Sequence, residues 1–308
     1  MKLVSYLHAG ESKFGQVLDR GIIDLTGKLR PPQNVINQSP PDEHRGNVLT
    51  LRAALATFGP TLVDTIAQYT QGRRPDTMLD QVTLQSPIPV PEKIICVGVN
   101  YGKRNEEYQD GSAAPSYPSV FPRFPGSFVG HDQALIRPRE SEQLDYEGEI
   151  AIIIGKAGRR IPEHEAEQHI AGLTCANEGT VRDWIKHGKF NVTQGKNFDA
   201  SGAIGPWMVT SDEFDGFDNL TVTTRVNGET RQHDNTSNLM FSFRHLIAYL
   251  STWTALQPGD IISTGTPIGA GVRFSPPKFL RPGDCVEVEV GGIGILRNTV
   301  QDDQQGVK

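Results

Sequence analysis

The chain has 308 residues, of which 37% are hydrophobic and 21% charged, a composition typical of an ordinary globular protein with a sizeable core. Its formal net charge of −6 and pI near 5.8 offer no basic surface, so we expect no nucleic-acid partner. No run approaches the ~20 apolar residues of a membrane span, and residues 1–15 lack the apolar segment of a secretory signal. We therefore expect a cytoplasmic protein without membrane contact.

The three cysteines, Cys96, Cys175 and Cys285, lie far apart in apolar surroundings. Their spacing suggests neither a zinc site nor a disulfide framework, so reduced core residues are expected.

Residues 1–85 are predicted to form a small N-terminal α+β domain. Short apolar segments alternate with turns at its start, and two later segments have helical spacing interrupted at Gly59-Pro60. The Pro-rich segment 86–93 is typical of an extended linker into a second domain, residues 86–308. The predicted elements are strands over 2–7, 15–19 and 21–27 and helices over 49–56 and 61–69.

A short buried strand is predicted over residues 94–99. Residues 102–130 then show neither helical nor strand periodicity and are rich in Pro, Gly, aromatic and charged residues. A connection this long is uncommon in a compact domain unless it is a functional loop, so we expect a lid.

The segment 144–155, with sequence LDYEGEIAIIIG, carries the first candidate chemistry. Its run 150–154 is typical of a strand buried on both faces, and the two-residue period places Asp145, Glu147 and Glu149 on one side. Buried like charges repel, so this cluster needs either solvent or a cation. An exposed strand start explains an isolated E-x-E, and a hard divalent metal ion is the alternative.

The remainder of the chain is strand-rich. Asn227-Gly228 is a strong hairpin signal, Ser237 is a candidate helix N-cap, and two Pro-Gly-Asp turns each precede an apolar segment. The predicted elements are helices over 162–170, 177–184 and 237–253 and strands over 173–176, 221–226 and 229–232, with strands after the turns at 258–260 and 282–284.

Further polar residues occur where a plain core would be apolar. Glu178 stands at a predicted strand end and Lys196 lies in QGKNFD. With Glu147 and Glu149, Glu178 makes a plausible Mg²⁺ or Mn²⁺ site, because hard cations prefer carboxylate oxygens. The Gly- and Thr-rich loop 264–271 can direct backbone N–H groups at an anion, although such a loop is more often a simple turn.

These segments together resemble the fumarylacetoacetate hydrolase superfamily over about residues 86–300. Several motifs in the family's order are far more specific than any single one: KIICVGVNY, SFVG, LDYEGEIAIIIG, ANEGTVRDW, QGKNFD and STGTPIGAG. The resemblance implies an α+β, β-rich fold with a mixed β-roll C-terminal domain, a Mg²⁺ or Mn²⁺ ion held by E-x-E and a later acid, a small anionic 2-oxo acid substrate, and a homodimer.

Matched by position, the resemblance assigns Glu147, Glu149 and Glu178 as metal ligands, with Glu178 standing where the family usually has Asp. It assigns Lys196 to hold substrate or water. The residues it implies for the substrate pocket are Arg123, Ser127, Tyr146, Arg182 and Thr266.

A second departure from the family concerns the lid. Hydrolytic members carry N-Y-x-x-H-x-x-E, whose His–Glu pair activates water, whereas this chain has Arg104 at the histidine position and Glu107 at the acid. Arginine stays protonated and cannot be a general base, so Arg104 is expected to bind substrate. Glu107 is our preferred base and His131 the alternative.

We therefore expect a metal-dependent hydrolase that cleaves a C–C bond in an acylpyruvate through a metal-stabilised enolate, in aromatic or sugar-acid catabolism. The alternative is a decarboxylase, hydratase or keto–enol isomerase on the same metal site. A third hypothesis is a β-rich binding protein that has lost its chemistry, and the intact E-x-E argues against it.

Overall fold

The computed structural model describes residues 1–30, 48–103, 115–188 and 191–304. Strands dominate these ranges: β1 (Lys2–His8), β2 (Glu11–Leu18), β3 (Gly21–Asp24), β4 (Thr77–Met78), β5 (Thr83–Leu84), β6 (Ile94–Val97), β7 (Val120–Pro122), β8 (Phe128–Val129), β9 (Leu135–Arg137), β10 (Leu144–Asp145), β11 (Gly148–Ile154), β12 (Ile170–Asn177), β13 (Thr180–Val181), β14 (Gly202–Thr210), β15 (Thr221–Val226), β16 (Glu229–Asn235), β17 (Ile261–Ser263), β18 (Cys285–Val290) and β19 (Gly294–Asp302). Within these ranges the α-helices are α1 (Leu51–Phe58), α2 (Leu62–Thr70), the single turn α3 (Thr193–Lys196) and α4 (Phe243–Trp253).

Most of the strands form one large mixed sheet. Its order is β4-β3-β2-β1-β14-β12-β11-β17-β6-β7, with β5 added on β1 and β8 on β14. The pairs β6–β17 and β8–β14 are parallel, and β11 is antiparallel to both of its neighbours. All residues of β11 are buried, which confirms the strand predicted from the run 150–154.

A second sheet, of order β16-β15-β18-β19-β9, packs on one face of the large sheet. Ile150 and Ile152 of β11 lie in the core between the two sheets with residues of β15 and β18. Ala151 and Ile153 point to the other face, which α1 and α2 cover. Both faces of β11 are therefore buried, one by the second sheet and the other by the helices. The predicted α+β, β-rich fold class is confirmed.

The large sheet takes strands from both sides of the predicted domain boundary. Strand β1 pairs with β14, with Leu3 opposite Met208. Its hydrogen bonds therefore join the N-terminal segment directly to the second predicted domain, and the division between residues 1–85 and 86–308 stays a prediction.

The predicted helix over residues 177–184 is wrong. Residues 180 and 181 form the short strand β13, antiparallel to β10, and only a 3-10 turn at Trp184–Lys186 follows. The reason is tertiary: Arg182 Nε donates a 2.7 Å hydrogen bond to Asp145 Oδ2 on the facing strand. That contact holds the segment extended.

Helix α4 begins later than predicted. Its N-cap is Ser242, whose side chain accepts from the His245 N–H, rather than Ser237. The preceding residues are held elsewhere, because the Met240 N–H donates to Asn100 O at 2.7 Å. This backbone contact competes with helix formation and moves the start by five residues.

Other local predictions are confirmed. Asn227 and Gly228, both with positive φ, form the tight turn between β15 and β16. The segment after Pro162 is helical, although its hydrogen bonding over Glu163–His169 is of the 3-10 type. The two Pro-Gly-Asp turns precede β17 and β18.

Candidate metal centre

Three buried carboxylates meet where β11 begins and β12 ends. Strand pairing places Gly148 opposite Asn177, and the Glu178 N–H donates a 2.7 Å hydrogen bond to Glu147 O. The register therefore brings Glu178 beside Glu147, while Glu149 follows on the same face of β11. One oxygen from each of these three glutamates lies within 4.8 Å of the other two. The structure thus brings together the three residues predicted as metal ligands.

Glu149 is held by the strand next to β11. Its Oε2 accepts a 2.6 Å hydrogen bond from Ser263 Oγ and a 2.8 Å bond from the Gly265 N–H. Burial raises the pKa of the Glu149 carboxyl well above its ordinary value, and the nearby charge of Glu178 adds to this rise, while the Ser263 hydrogen bond opposes it. A positive charge in the cluster would oppose this rise, because it favours the ionised form of the carboxyl.

Two cationic side chains join the cluster. Arg182 Nε donates to Asp145 and its Nη2 donates to Glu147 Oε1, each at 2.7 Å. Lys196 Nζ bonds Glu147 Oε2 and lies 2.8 Å from Glu178 Oε1. Burial disfavours the ammonium, but the charges of Glu147 and Glu178 outweigh it and raise the pKa of Lys196 above its ordinary value. Both cations therefore neutralise part of the carboxylates' charge, and the two hydrogen bonds of Arg182 also orient Glu147 against Asp145.

The donor set fits a hard divalent cation. Counting Asp145, four buried carboxyl groups face the three cations Arg123, Arg182 and Lys196, and the group whose pKa is raised is Glu149. A bound divalent cation would allow all four groups to be carboxylates. Among the residues that the structure describes, none donates a hydrogen bond of good geometry to Glu178 Oε1, despite its closeness to Lys196. Carboxylate oxygens with this charge and burial are the ligands that Mg²⁺ and Mn²⁺ prefer.

Arg123 and Ser127, predicted to line the substrate pocket, bond protein groups. Arg123 Nε donates to Ser127 Oγ at 3.2 Å, and Ser127 Oγ in turn donates to Phe124 O at 2.7 Å. Arg123 also lies 3.8 Å from Glu178 Oε1 through Nη1. Contact of these two residues with substrate stays a prediction, while their contacts with the protein connect them to the cluster.

Thr266 and Tyr146 bond protein atoms other than the carboxylates. Thr266 Oγ1 donates to Gly148 O and accepts from Gln232 Nε2, each at 2.9 Å. Tyr146 packs in the core between the sheets, and its hydroxyl donates to Gly269 O at 3.0 Å. Thr266 therefore braces the backbone between the ligands Glu147 and Glu149, whereas the ring of Tyr146 is part of the core.

His131, the alternative base, is not brought to the cluster. Its Nδ1 accepts from the Arg297 N–H at 3.1 Å, and its Nε2 lies 3.2 Å from Asp132. It borders a different cavity, near Trp207. The other two predicted lid residues, Arg104 and Glu107, lie outside the described residues.

Several residues of the site were not predicted from the sequence. Ser263 and Gly265 hold Glu149, Thr180 Oγ1 donates to Glu147 Oε2 at 3.3 Å, and Ser201 accepts from Arg123. The signal available for the first two was the run Ser-Thr-Gly directly after an apolar strand segment. Nothing local marked the other two: Thr180 reaches the cluster because β13 pairs with β10, and Ser201 directly precedes β14.

The model of the C-terminal domain of fumarylacetoacetate (FAA) hydrolase matches residues 93–301, about two thirds of the chain. The chain belongs to the fumarylacetoacetate hydrolase family. The family predicted by resemblance is therefore confirmed, and the matched segment contains the three carboxylates and Lys196.

Relatives of this family member include two curated tautomerases. An oxaloacetate tautomerase of Bacillus subtilis (strain 168) is 43% identical over 227 residues, covering 72% of this chain and 74% of the relative. A mitochondrial oxaloacetate tautomerase of Rattus norvegicus is 37% identical over 263 residues, covering 80% and 82%. The predicted C–C hydrolysis is not confirmed by these two relatives.

Among solved structures, this fumarylacetoacetate hydrolase family member is similar to a maleylpyruvate hydrolase from Sphingobium sp. SYK-6 in complex with manganese(II) and pyruvate. The TM-score is 0.77 at 25% identity, over 99% of this chain and 100% of the other. Within the residues that the structure describes, no helix is long and apolar enough to cross a membrane. The homodimer and the cytoplasmic location stay predictions.

Proposed function

We propose that the protein is a divalent-metal-dependent keto–enol tautomerase of a small 2-oxo acid of the oxaloacetate type. The observation that carries this proposal is the contact of Lys196 with two of the three clustered carboxylates. It is joined by Arg104 in the predicted lid, where the resemblance implies a histidine in hydrolytic members. Tautomerisation moves one proton between carbon and oxygen and needs no activated water. The tautomerase relatives support the same reaction.

Glu147, Glu149 and Glu178 would hold the metal, Mg²⁺ or Mn²⁺. When bound, the ion would supply Lewis-acid stabilisation of the negative charge that develops on the 2-oxo acid. The hydrogen bonds from Ser263 and Arg182 keep Glu149 and Glu147 in place, so the carboxylates need little rearrangement when the cation arrives.

Lys196 is the group we assign to handle the proton. Its Nζ holds protons beside Glu147 and Glu178 and is 7% exposed, so water competes little for its hydrogen bonds. A donor at this position would stabilise the negative charge that develops on the substrate oxygen. In the enol-to-keto direction the ammonium would give one proton to the enol carbon and take the enol hydroxyl proton in return, so the proton count balances. Arg104 is positively charged at neutral pH and would attract the substrate carboxylates from the lid.

Hydrolysis of an acylpyruvate is the second candidate. It is favoured by the similarity to the maleylpyruvate hydrolase that binds manganese and pyruvate, and by Glu107 at the position of the family acid. This reaction requires a base for water, and Glu107 would have to serve alone. Its setting in aromatic or sugar-acid catabolism likewise stays a prediction.

The two candidates differ in their products. Purified protein with Mg²⁺ or Mn²⁺ should accelerate the loss of enol-oxaloacetate absorbance without releasing pyruvate. The same preparation should leave acylpyruvates intact in a coupled assay for pyruvate. Pyruvate release from an acylpyruvate together with unassisted enol decay would reject the tautomerase in favour of the hydrolase.

A further inference from the structure

Arg123 is an almost completely buried arginine whose donors bond three different segments. Its Nη1 donates to Gly179 O at 3.0 Å, its Nη2 to Ser201 Oγ at 3.0 Å, and its Nε to Ser127 Oγ at 3.2 Å. One face of the guanidinium lies 4.1 Å from the ring of Phe128. Arg123 is 2% exposed, so these contacts fix its side chain in one orientation.

The turn to which Arg123 donates a hydrogen bond carries the third carboxylate, Glu178. Gly179 follows Glu178 directly, and a Cβ atom at residue 179 would lie 1.7 Å from Ser201 O. The turn is therefore pressed against the start of β14 and cannot move further in that direction. On its other side, the Glu178 N–H is bonded to Glu147 O. The backbone position of residue 178 is thus fixed from two directions.

We propose that Arg123 is a positioning residue for Glu178, which sets the place of the third carboxylate in the metal centre and balances its charge. The inference deepens the proposed function and rests on the metal site assumed there. Arg123 acts in two ways: its hydrogen bonds hold the carbonyl of the next residue, Gly179, and its charge lies 3.8 Å from Glu178 Oε1. Its role is thus distinct from the predicted contact with substrate.

This arrangement accounts for the length of the side chain at residue 178. Because the turn is clamped between Ser201 and Glu147, the backbone cannot advance to compensate for a shorter side chain. The extra methylene of Glu178 supplies the reach instead. Glu178→Asp should therefore weaken metal binding in this chain, although it keeps the carboxylate.

The test measures Mn²⁺ affinity of the purified full chain by calorimetric titration. Arg123→Lys keeps the positive charge but cannot bond Gly179, Ser127 and Ser201 together, since it lacks the planar fork. We expect affinity to fall about 10- to 100-fold, the range for partners that orient metal ligands. Ser201→Ala, a milder change, should lower affinity in the same direction and decides the matter if Arg123→Lys does not fold.

A double-mutant comparison separates action through Glu178 from general damage. If Arg123 acts through Glu178, adding Arg123→Lys to Glu178→Gln should lower Mn²⁺ affinity no further than Glu178→Gln alone. Asn298→Ala is the matched control, because Asn298 is also buried and donates to two backbone carbonyls, Gly130 and Gln133, away from the cluster. It should reduce thermal stability and leave Mn²⁺ affinity unchanged.

The outcomes distinguish the two levels of the proposal. Two results would overturn the positioning role of Arg123 and leave the metal centre standing. One is wild-type Mn²⁺ affinity in folded Arg123→Lys and Ser201→Ala variants. The other is a fully additive loss of affinity in the double mutant. Wild-type affinity in Glu178→Gln, or no Mn²⁺ binding by the wild type, would instead overturn the proposed metal centre.

Discussion

Ser263 donates a 2.6 Å hydrogen bond to Glu149, and this contact joins the end of β17 to the face of β11 that carries the carboxylates. The two strands are neighbours in the large sheet, with Ser263 opposite Ala151. A hydroxyl at this position fixes the carboxylate of a candidate metal ligand before any cation binds. Removing this hydroxyl therefore tests whether fixing the Glu149 carboxylate in advance contributes to metal affinity.

Ser263→Ala is expected to weaken Mn²⁺ binding by about tenfold, because partners that orient metal ligands typically contribute 10–100-fold in affinity and the Gly265 N–H still holds Glu149. Calorimetric titration measures the change. Ser251→Ala, at a buried serine that bonds Ile161 and Ala248, serves as control and should bind Mn²⁺ normally. Wild-type Mn²⁺ affinity in both variants would show that Glu149 does not need the Ser263 hydrogen bond to bind the metal.

Lys196→Met should separate catalysis from metal binding. Loss of the proton-handling group is expected to lower kcat for enol-oxaloacetate by about 10²–10⁴-fold. Mn²⁺ affinity should stay the same or rise, because the ammonium beside Glu147 and Glu178 repels a cation at the same carboxylates. Steady-state kinetics and calorimetry on one preparation check both effects. A parallel loss of affinity and turnover would assign Lys196 to the metal site rather than to the proton.

Arg182→Met should destabilise the metal-free protein. The change leaves Asp145 and Glu147 buried without their shared cation, and breaking one side of a buried ion pair costs about 3–5 kcal/mol. Urea denaturation in a chelator measures the loss in the free energy of unfolding. Excess Mn²⁺ should restore part of it by supplying positive charge next to Glu147. Stability equal to the wild type in chelator would mean that the ion pairs of Arg182 with Asp145 and Glu147 do not stabilise the fold.

Removal of the metal should abolish turnover, and added Mg²⁺ or Mn²⁺ should restore it. Because a ligand that binds only the folded state stabilises it, Mn²⁺ at 100 times its Kd should add about 2.7 kcal/mol to the free energy of unfolding. Glu149→Ala should lose this stabilisation and still fold. Full activity in a verified metal-free preparation would reject the metal-dependent mechanism.

Glu107→Gln and His131→Asn test the base that hydrolysis would require. His131 accepts a hydrogen bond from the Arg297 N–H and lies beside Asp132, away from the cluster, so His131→Asn should leave kcat close to the wild-type value. Glu107→Gln should lower acylpyruvate cleavage by about 10²–10⁴-fold if that reaction occurs, with metal affinity intact. Enol-oxaloacetate turnover that survives both changes is the result expected of a tautomerase working through Lys196.

Local pattern was enough for much of the fold and for the family. The apolar run 150–154 determined a buried strand, Asn227-Gly228 determined a hairpin, and the order of the motifs determined the family and the identity of Glu147, Glu149 and Glu178 as candidate ligands. These features depend on side-chain period, turn geometry and residue type, all of which are properties of neighbouring residues.

Only the tertiary structure decided which side chains meet. The pairing of β10 with β13 turned a predicted helix into a strand, and it placed Arg182 against Asp145 and Glu147. The donors of Arg123 are buried and bond protein groups rather than solvent. The chain also places His131 next to Arg297, away from the cluster. Each of these outcomes depends on strand register and on partners far away in the chain, because a buried charge takes whichever partner the packing brings within hydrogen-bonding distance.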